Sequence, residues 1–154
     1  MVRISNKEKK EKMKNKKIDD LRLIDLLSKN ARTSFIALAK KFGVSETAIR
    51  KRIKKLEREG VIKHYTIGFD LKKLGFKVHA FIGIDFKPEN YLVCIEKIKR
   101  MREAKTIYTA TGDHMLLVEV WFKDSKELKN FVKKLKSIKG VIRVCPAILI
   151  ERIK

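Results

Sequence analysis

The chain has 154 residues, of which 44% are hydrophobic, so it can build a folded core and is not wholly disordered. Its 39 basic and 18 acidic residues give a formal net charge of +21, which indicates a polyanionic partner, most commonly nucleic acid. The sequence has no apolar run of about 18 residues, which excludes a transmembrane helix, and no apolar segment follows the charged N-terminus as in a signal peptide. We therefore expect a cytoplasmic protein with one ordinary domain or two small ones.

The high positive charge is also compatible with a membrane partner or with background composition. An anionic membrane is the alternative to nucleic acid as the polyanionic partner, but no helical segment combines a basic face with a large aromatic face. A thermophile or an AT-rich genome would also favour abundant lysine and isoleucine, so part of the charge can reflect background composition.

The two cysteines, Cys94 and Cys145, are far apart and have no neighbouring cysteine at metal-binding spacing. A structural zinc ion needs about four closely spaced ligands, so the sequence predicts no metal site, and it predicts no cofactor. We interpret both residues as reduced core cysteines, although intracellular proteins of hyperthermophiles can carry disulfides.

The first 17 residues are dominated by lysine and glutamate and contain almost nothing to bury. One interpretation is a solvated arm that is disordered or forms a frayed helix, and the other is an arm that adds sequence-independent phosphate contacts. From Ile18 to Lys29 the spacing predicts a helix with acidic residues toward its start, where they meet the positive end of the helix dipole. Its predicted apolar stripe is Ile18, Leu21, Ile24 and Leu27, widened by Leu23 and Leu26.

Two further helices follow, joined by a short turn. The first carries an apolar face at helical spacing, made of Phe35, Leu38, Ala39 and Phe42. Gly43 ends that helix because glycine readily adopts the left-handed conformation, and Ser45 caps the next one through its hydroxyl. The second helix buries Ala48, Ile49, Ile53 and Leu56 and stops at Gly60. This pattern predicts a helix-turn-helix, and with the preceding helix it forms a three-helix unit over residues 18–63.

The opposite face of the last helix is basic, which is typical of a recognition helix in the major groove of DNA. Residues near its N-terminus should face base edges, and we predict groove contacts for Ser45, Glu46, Thr47, Arg50 and Lys51. Those nearer its C-terminus, namely Lys54, Lys55 and Arg58, are predicted to contact phosphates, or else form only a solvated face. Ser34, at the start of the preceding helix, is a further candidate for a backbone phosphate.

The segment after Gly60 looks extended, since Ile62, Tyr65 and Ile67 alternate with polar residues. It is interpreted as a wing or as a tether to a second domain, over residues 64–75. The lone His64 is interpreted as a surface or strand residue, because no partner for a site lies near it in the sequence.

Beyond residue 75 the sequence alternates between strand and helix patterns. Val78 to Phe86 has a period of two, Pro88 begins a helix with Leu92, Ile95 and Ile98 on its buried face, and Ala104 to Thr111 is again a strand. Gly112 and Asp113 are interpreted as a two-residue hairpin turn before the strand Met115 to Phe122.

The last part of the chain predicts one more helix and one more strand. Asp124 to Glu127 has the form of a capping box, followed by an apolar helical face of Leu128, Phe131, Val132 and Leu135. Gly140 is predicted to stop this helix, and the final strand, Val141 to Ile150, contains Pro146. Because proline cannot donate to a β-ladder, we expect that strand at a sheet edge or at a bulge.

The predicted order over residues 76–154 is β-α-β-β-α-β, the ferredoxin-like arrangement, so the whole chain is of the α+β class. Two helices on one face of a four-stranded sheet leave the other face open. We expect a homodimer to bury that apolar face, although the first domain or the wing could cover it instead.

A helix-turn-helix, a tether and a β-α-β-β-α-β domain together resemble the Lrp/AsnC family of feast/famine transcriptional regulators. The resemblance covers nearly the whole chain after the basic arm, and the lysine-rich composition suggests an archaeal member. The stretches that carry it are Ile18–Leu21 with Ile24 and Leu27, Asn30–Phe35, Leu38–Ala39, Phe42–Ser45, Ile49 with Arg52–Ile53, Leu56–Glu57, Gly60–Ile62, Thr111–His114 and Gly140–Ile142.

The resemblance implies a sequence-specific regulator that dimerises through its C-terminal domain, often assembles into tetramers or octamers, and binds near-palindromic DNA. It also implies an amino-acid effector site between dimers, near the β2–β3 loop and the last strand, with Gly112, Asp113 and His114 as candidate residues. The family pattern has an aspartate where this chain has Met115, and a threonine where it has Pro146. These losses remove the groups that would bind an amino acid's ammonium and carboxylate, so we expect an atypical effector or none.

Two competing functions fit parts of the sequence. A sequence-tolerant DNA-compacting protein would account for the charge and the basic arm. Some relatives of this fold are enzymes that decarboxylate a sirohaem-type tetrapyrrole, and His64, His79 and His114 would be available to such a site. The basic recognition face argues against an enzyme, and no catalytic residues are predicted.

Overall fold

The computed structural model describes residues 18–151 and residue 153, so the predicted basic arm, residues 1–17, lies outside the described part. The chain divides into two compact units between Gly68 and Phe69, each with its own hydrophobic core. None of the helices in the described residues is long and apolar enough to cross a membrane.

The first unit consists of three helices: α1 (Asp20–Lys29), α2 (Phe35–Phe42) and α3 (Glu46–Arg58). The predicted helix-turn-helix is confirmed, since Gly43 has a φ of 65° and ends α2, and Ser45 caps α3. The three helices enclose one core. Its buried members are Leu23, Leu27, Leu38, Ala39, Phe42, Val44, Ile49, Ile53 and Leu56.

The buried face of α1 differs from the predicted one. Asp19 caps the helix by accepting from the backbone N–H groups of Leu21 and Arg22, so Ile18 precedes the helix, although it packs against the core as predicted. The core face is set by Leu23 and Leu27, which are four residues apart. Leu21 falls on the other side of the helix and is 81% exposed, so its predicted burial was wrong.

After α3 the chain turns at Gly60, and residues 63–70 have no regular secondary structure. Ile62 packs against the core of the first unit. The Tyr65 hydroxyl donates to Glu57 Oε1 at 2.8 Å, and burial together with this hydrogen bond raises the pKa of Tyr65 to about 12. The predicted extended segment is therefore attached to α3 by side-chain contacts without pairing as a β-strand.

The second unit is an α+β domain with a four-stranded antiparallel sheet in the order β2-β3-β1-β4. Its strands are β1 (Val78–Phe86), β2 (Ala104–Thr109), β3 (Leu116–Phe122) and β4 (Val141–Ile148). Its helices are α4 (Tyr91–Lys99), preceded by a 3₁₀ turn at Pro88–Asn90, and α5 (Ser125–Lys136). The predicted ferredoxin-like β-α-β-β-α-β arrangement is confirmed.

The core of this unit lies between the sheet and its two helices. Every second residue of β1 is buried there, as predicted from the period of two. In α4 the buried residues are Cys94 and Ile98, whereas Leu92 is 75% exposed. The prediction that Leu92 faces the core was wrong, because the face that packs on the core follows the helical spacing of Tyr91, Cys94, Ile95 and Ile98, and Leu92 lies outside it.

The last strand, β4, occupies the edge of the sheet, which confirms the position expected from Pro146. Its pairing with β1 also shifts register between Asp85 and Phe86. Before it, Asp124 caps α5 by accepting from the backbone N–H of Glu127 at 2.9 Å. Helix α5 ends at Lys136, earlier than the predicted stop at Gly140, which has a φ of 98° in the turn into β4.

The connection between β2 and β3 is longer than the predicted two-residue turn. Thr109 pairs with Leu116, so residues 110–115 form the loop, closed by a backbone hydrogen bond from Ala110 to Met115 of 3.0 Å. The loop is wide because His114 packs over Gly83 and Met115 donates its backbone N–H to Asp85. These contacts hold both residues on β1, which prevents a tight hairpin.

The sheet face that the helices leave open is partly apolar and partly polar. Phe81, Leu117 and Cys145 lie on it half-buried, so the interpretation of Cys145 as a core cysteine was wrong. The strand order accounts for this position, because Cys145 pairs with Gly83 and therefore points away from the helices. At one end of this face Glu119 accepts hydrogen bonds from Thr106 at 2.7 Å and from the His79 ring at 2.8 Å.

Candidate functional site

The basic face of α3 is presented as the sequence predicts. Ser45 caps the helix by accepting from the backbone N–H of Ala48 at 3.2 Å, while Ile49, Ile53 and Leu56 fix the other side in the core. Ser34 and Ser45 are exposed, and Glu46 is half-buried. The six other predicted contact residues, all within α3, are also exposed: Thr47, Arg50, Lys51, Lys54, Lys55 and Arg58.

Arg50 is held in a defined position on this face. Its guanidinium donates to Glu46 Oε1 at 2.7 Å, one turn earlier, and stacks over the Phe35 ring at 4.7 Å from the centroid. The contact with Phe35 brings the arginine next to the start of α2. An arginine with this planar, forked donor set suits bidentate hydrogen bonds to a guanine edge or to a phosphate.

Ser34 caps α2 by accepting from the backbone N–H of Ala37 at 3.2 Å. The first N–H groups of a helix point outward and carry the positive end of its dipole, so this terminus suits a phosphate oxygen.

Near the C-terminus of α3, Lys55 Nζ lies 3.6 Å from Glu59 Oε1. This exposed ion pair is weak, so the lysine remains available to a stronger anion.

Arg52 is a residue of α3 that sequence reasoning did not include in the site. Its guanidinium pairs through two nitrogens with the carboxylate of Asp20 on α1, and the Nε–Oδ1 distance is 2.5 Å. This bidentate contact raises the pKa of Arg52, chiefly through the hydrogen bond. Arg52 therefore joins α3 to α1 and positions the helix, and it is not part of the exposed basic face.

The predicted effector residues lie in the second unit, in the β2–β3 loop. Gly112 has a φ of 108°, a conformation that glycine adopts without strain. The His114 ring lies 3.1 Å from Asp85 Oδ2, and the backbone carbonyl of Asp113 accepts from the Arg143 guanidinium. Asp85 and Arg143 were missed from the sequence, because strand register alone brings them to this loop.

Asp85 is the centre of this cluster. Arg143 Nε donates to its Oδ2 at 2.6 Å, and the Met115 backbone N–H donates to its Oδ1 at 3.1 Å. Burial alone would raise the pKa of Asp85, but the hydrogen bonds from Arg143, His114 and Met115 outweigh it and hold that pKa below its ordinary value. Asp85 is therefore an ionised carboxylate whose acceptors are already occupied by groups of its own chain.

The two predicted sites belong to different units, with the basic face of α3 in the first and the β2–β3 loop in the second. Within the described residues, no group of three or more histidine, cysteine or acidic side chains could hold a metal ion.

Both units match known protein families. Residues 20–63 match the family model described as a winged helix-turn-helix DNA-binding domain, and residues 79–154 match the one described as the Lrp/AsnC ligand binding domain. The match to the second model coincides with the ferredoxin-like unit.

Two curated archaeal relatives are similar over most of the chain. The HTH-type transcriptional regulator LrpA of Pyrococcus abyssi is 44% identical over 133 residues, which cover 86% of this chain and 94% of that protein. The HTH-type transcriptional regulator LysM of Saccharolobus solfataricus is 35% identical over 142 residues, covering 90% of this chain and 98% of that protein.

The solved structure of AsnC from E. coli superposes with a TM-score of 0.76 at 29% identity, covering 90% of this chain and 95% of that one. The family resemblance predicted from the sequence is thus confirmed by relatives that are themselves named transcriptional regulators. This chain belongs to the Lrp/AsnC family of DNA-binding transcriptional regulators.

Proposed function

We propose that this regulator binds near-palindromic DNA in a sequence-specific manner, as a homodimer or a higher oligomer. The observation that carries the proposal is Arg50, which is held at the exposed surface of α3 between Glu46 and the Phe35 ring. A fixed arginine fork is the side chain best suited to discriminate a guanine in the major groove. Flexible lysine side chains would increase the affinity for DNA of any sequence without such discrimination between bases.

The proposed roles follow the position of each residue on the helix-turn-helix. Ser45, Glu46, Thr47, Arg50 and Lys51 contact the groove, since the N-terminal part of a recognition helix enters it most deeply. Phosphate contacts are assigned to the remaining candidates, which are Ser34, Lys54, Lys55 and Arg58. Two such helices in a symmetric dimer require half-sites one or more helical turns apart.

A homodimer is proposed to form through the open face of the sheet in the second unit. Phe81 and Leu117 present apolar surface there, and the His79–Glu119 pair lies beside them only partly exposed. Neighbouring apolar and hydrogen-bonded polar groups of this kind suit a self-complementary surface related by a two-fold axis.

We further propose that the effector of this chain is atypical or absent. An amino-acid ligand needs an available carboxylate for its ammonium group, and the β2–β3 loop carries Met115 where the family pattern has an aspartate. The partly buried carboxylate that contacts this loop from β1, Asp85, already accepts from Arg143, His114 and Met115. Calorimetric titration with the twenty amino acids tests this, and micromolar binding of a polar one would contradict it.

The decisive experiment is selection of random-sequence duplex DNA by the full chain at near-physiological salt, with excess non-specific competitor. We expect recovery of an inverted repeat whose half-site spacing reports the arrangement of the two recognition helices. Retention of DNA without a consensus would replace this proposal with a sequence-tolerant compacting protein. Loss of all retention would point to an obligatory effector or to the enzyme alternative, which tetrapyrrole absorbance of the purified protein would reveal.

A further inference from the structure

A surface cavity of about 810 Å³, open to solvent, lies in the second unit, bordered by the end of α4, the start of β2 and one side of α5. It is separate from the β2–β3 loop, because none of the effector candidates lines it. Its polar walls are formed by Lys97, Arg100, Arg102, Lys105, Asn130 and Lys134. A volume of this size accommodates a ligand as large as a nucleotide.

The charge of this cavity is strongly unbalanced. Five basic and two acidic side chains line it, and both carboxylates already have partners. Glu103 accepts from Lys134 at 3.1 Å, and Glu127 accepts from the backbone N–H of Lys123 at 2.9 Å. In the part of the chain that the structure describes, Lys97, Arg100 and Arg102 form no salt bridge.

Helix capping accounts for only part of this charge. Basic residues in the last turn of a helix complement its dipole, which explains Lys97 at the end of α4. The same reason explains Lys134 in the last turn of α5, whereas Arg102 and Lys105 lie beyond α4 and outside any helix. Three separate elements therefore place cations around one cavity.

Apolar side chains also line the cavity, and they strengthen electrostatic contacts made beside them. These apolar residues are Met101, Phe122 and Phe131. In addition, the Lys105 ammonium group lies over the ring of Trp121, 5.5 Å from the ring centroid. Charges beside a low-dielectric surface interact more strongly than charges surrounded by water. The forked guanidinium groups of arginine match the geometry of phosphate oxygens, to which they can donate two parallel hydrogen bonds.

We propose that this cavity binds a phosphate-bearing ligand with at least two negative charges, through Arg100, Arg102 and Lys97. The phosphates can belong to a free nucleotide or to the backbone of DNA that reaches beyond the recognition helix. Either source gives the regulator a second anion site, in a unit that carries no helix-turn-helix.

Trp121 makes the proposal directly measurable, because it is the single tryptophan of the chain and it lines the cavity. Tripolyphosphate titrated into the full chain should change its emission in a saturable manner. The variant Arg100→Gln/Arg102→Gln should weaken this binding by about tenfold or more, since charged hydrogen bonds are lost. The matched variant Lys126→Gln/Lys129→Gln removes two exposed charges of α5 that do not line the cavity and should bind as the natural chain does.

Two further titrations identify the source of the phosphate. If ATP binds more tightly than tripolyphosphate, the nucleoside contributes and the ligand is a nucleotide. If a non-cognate duplex changes the Trp121 emission, the source is nucleic acid, and Arg100→Gln/Arg102→Gln should reduce the salt dependence of binding by roughly 0.9 in log–log slope per lost phosphate.

No saturable response to tripolyphosphate, ATP or duplex up to millimolar phosphate would overturn the proposal, and so would equal binding by the two double variants. Circular dichroism of each variant establishes that it is folded. Trp121 also contacts Phe69 and donates to the Glu119 carboxylate on the open sheet face, so only the emission change that Arg100→Gln/Arg102→Gln removes is assigned to the cavity. A failed DNA selection by the recognition helix would leave the tripolyphosphate result unaffected.

Discussion

Arg143 on the edge strand β4 lies directly opposite Asp85 on β1, and its Nε donates to the Asp85 carboxylate at 2.6 Å. The same carboxylate accepts from the backbone N–H of Met115, and the His114 ring lies 3.1 Å from it. One acidic side chain therefore joins an edge strand, a central strand and the β2–β3 loop. The guanidinium of Arg143 therefore occupies the position beside Asp85 at which the ammonium group of a ligand could otherwise bind.

Replacing Asp85 with asparagine should destabilise the second unit by about 1.5–3 kcal/mol at neutral pH, because charged hydrogen bonds are lost at a mostly buried position. The pKa of Asp85 lies below its ordinary value, so the folded state binds fewer protons than the unfolded state in mild acid. Its stabilisation is complete above the ordinary carboxyl pKa and is lost as the pH falls through the folded-state pKa. Urea unfolding followed by Trp121 emission from neutral pH into acid measures both effects.

The asparagine variant should lose less stability on acidification than the natural chain does, since it lacks this titrating group. Glu89→Gln is the matched control, because it changes another acid of the same unit to its amide at an exposed position. Equal acid sensitivity of the natural chain and Asp85→Asn would show that other groups control the acid response.

A second prediction concerns Gly83, which lies under the ring of His114. A Cβ at this position would stand 2.1 Å from His114 Cδ2, closer than any unstrained contact. Gly83→Ala should therefore displace His114 and cost about 1–3 kcal/mol of unfolding free energy. Gly68→Ala is the control, because nothing lies within 4 Å of its Cβ and its φ is not positive. If both variants unfold at the same urea concentration, the β2–β3 loop accommodates the added methyl group without a loss of unfolding free energy.

The periodicity of apolar residues was sufficient to predict most of the fold. β1 buries alternate residues and α2 buries one helical face, so each pattern can be recognised without knowing the neighbouring elements. The pattern failed where apolar residues were joined at a constant spacing of three, which drifts around a helix of 3.6 residues per turn. The core face of α1 is set by Leu23 and Leu27 and that of α4 by Cys94 and Ile98, so Leu21 and Leu92 fall on exposed faces.

The candidate sites were predictable to different degrees for a physical reason. The basic face of α3 is local, because residues three and four apart on one helix share a face. The Asp85 cluster joins residues that are 29 and 58 positions apart, and strand pairing alone brings them together. Arg52 could not be distinguished from its basic neighbours, since its partner Asp20 lies 32 residues earlier on another helix.

The contact between Arg52 and Asp20 predicts a measurable coupling between α1 and α3. A double-mutant cycle with Arg52→Gln and Asp20→Asn should give a coupling energy of about 1 kcal/mol, because the pair is bidentate and each side chain is about 30% exposed. The cycle with Asp25 and Lys29 is the control, and this more exposed pair should couple by about 0.3–0.5 kcal/mol. Thermal unfolding followed by circular dichroism measures both. Coupling no greater than in the control would mean that the helical core alone orients α3.

The last prediction separates base recognition from charge at Arg50. Arg50→Ala should cost about 1–3 kcal/mol on the selected site and much less on unrelated DNA, because a base-reading contact is lost. Glu46→Gln should act differently, on binding to unrelated DNA, since it frees the guanidinium from its 2.7 Å ion pair and removes a negative charge from the groove face. We therefore expect tighter binding to unrelated DNA and a smaller ratio of specific to non-specific affinity.

The control for Arg50 is Arg22→Ala, which removes an exposed arginine that also stacks over a phenylalanine, at 5.4 Å from the Phe42 ring. It lies on α1 and should leave the affinity ratio unchanged. Fluorescence anisotropy with cognate and unrelated duplexes at two salt concentrations measures all three variants, because phosphate contacts alter the salt slope and base contacts do not. If Arg50→Ala loses the same affinity for every DNA sequence, Arg50 contacts a phosphate. Base recognition would then be assigned to Thr47 and Lys51.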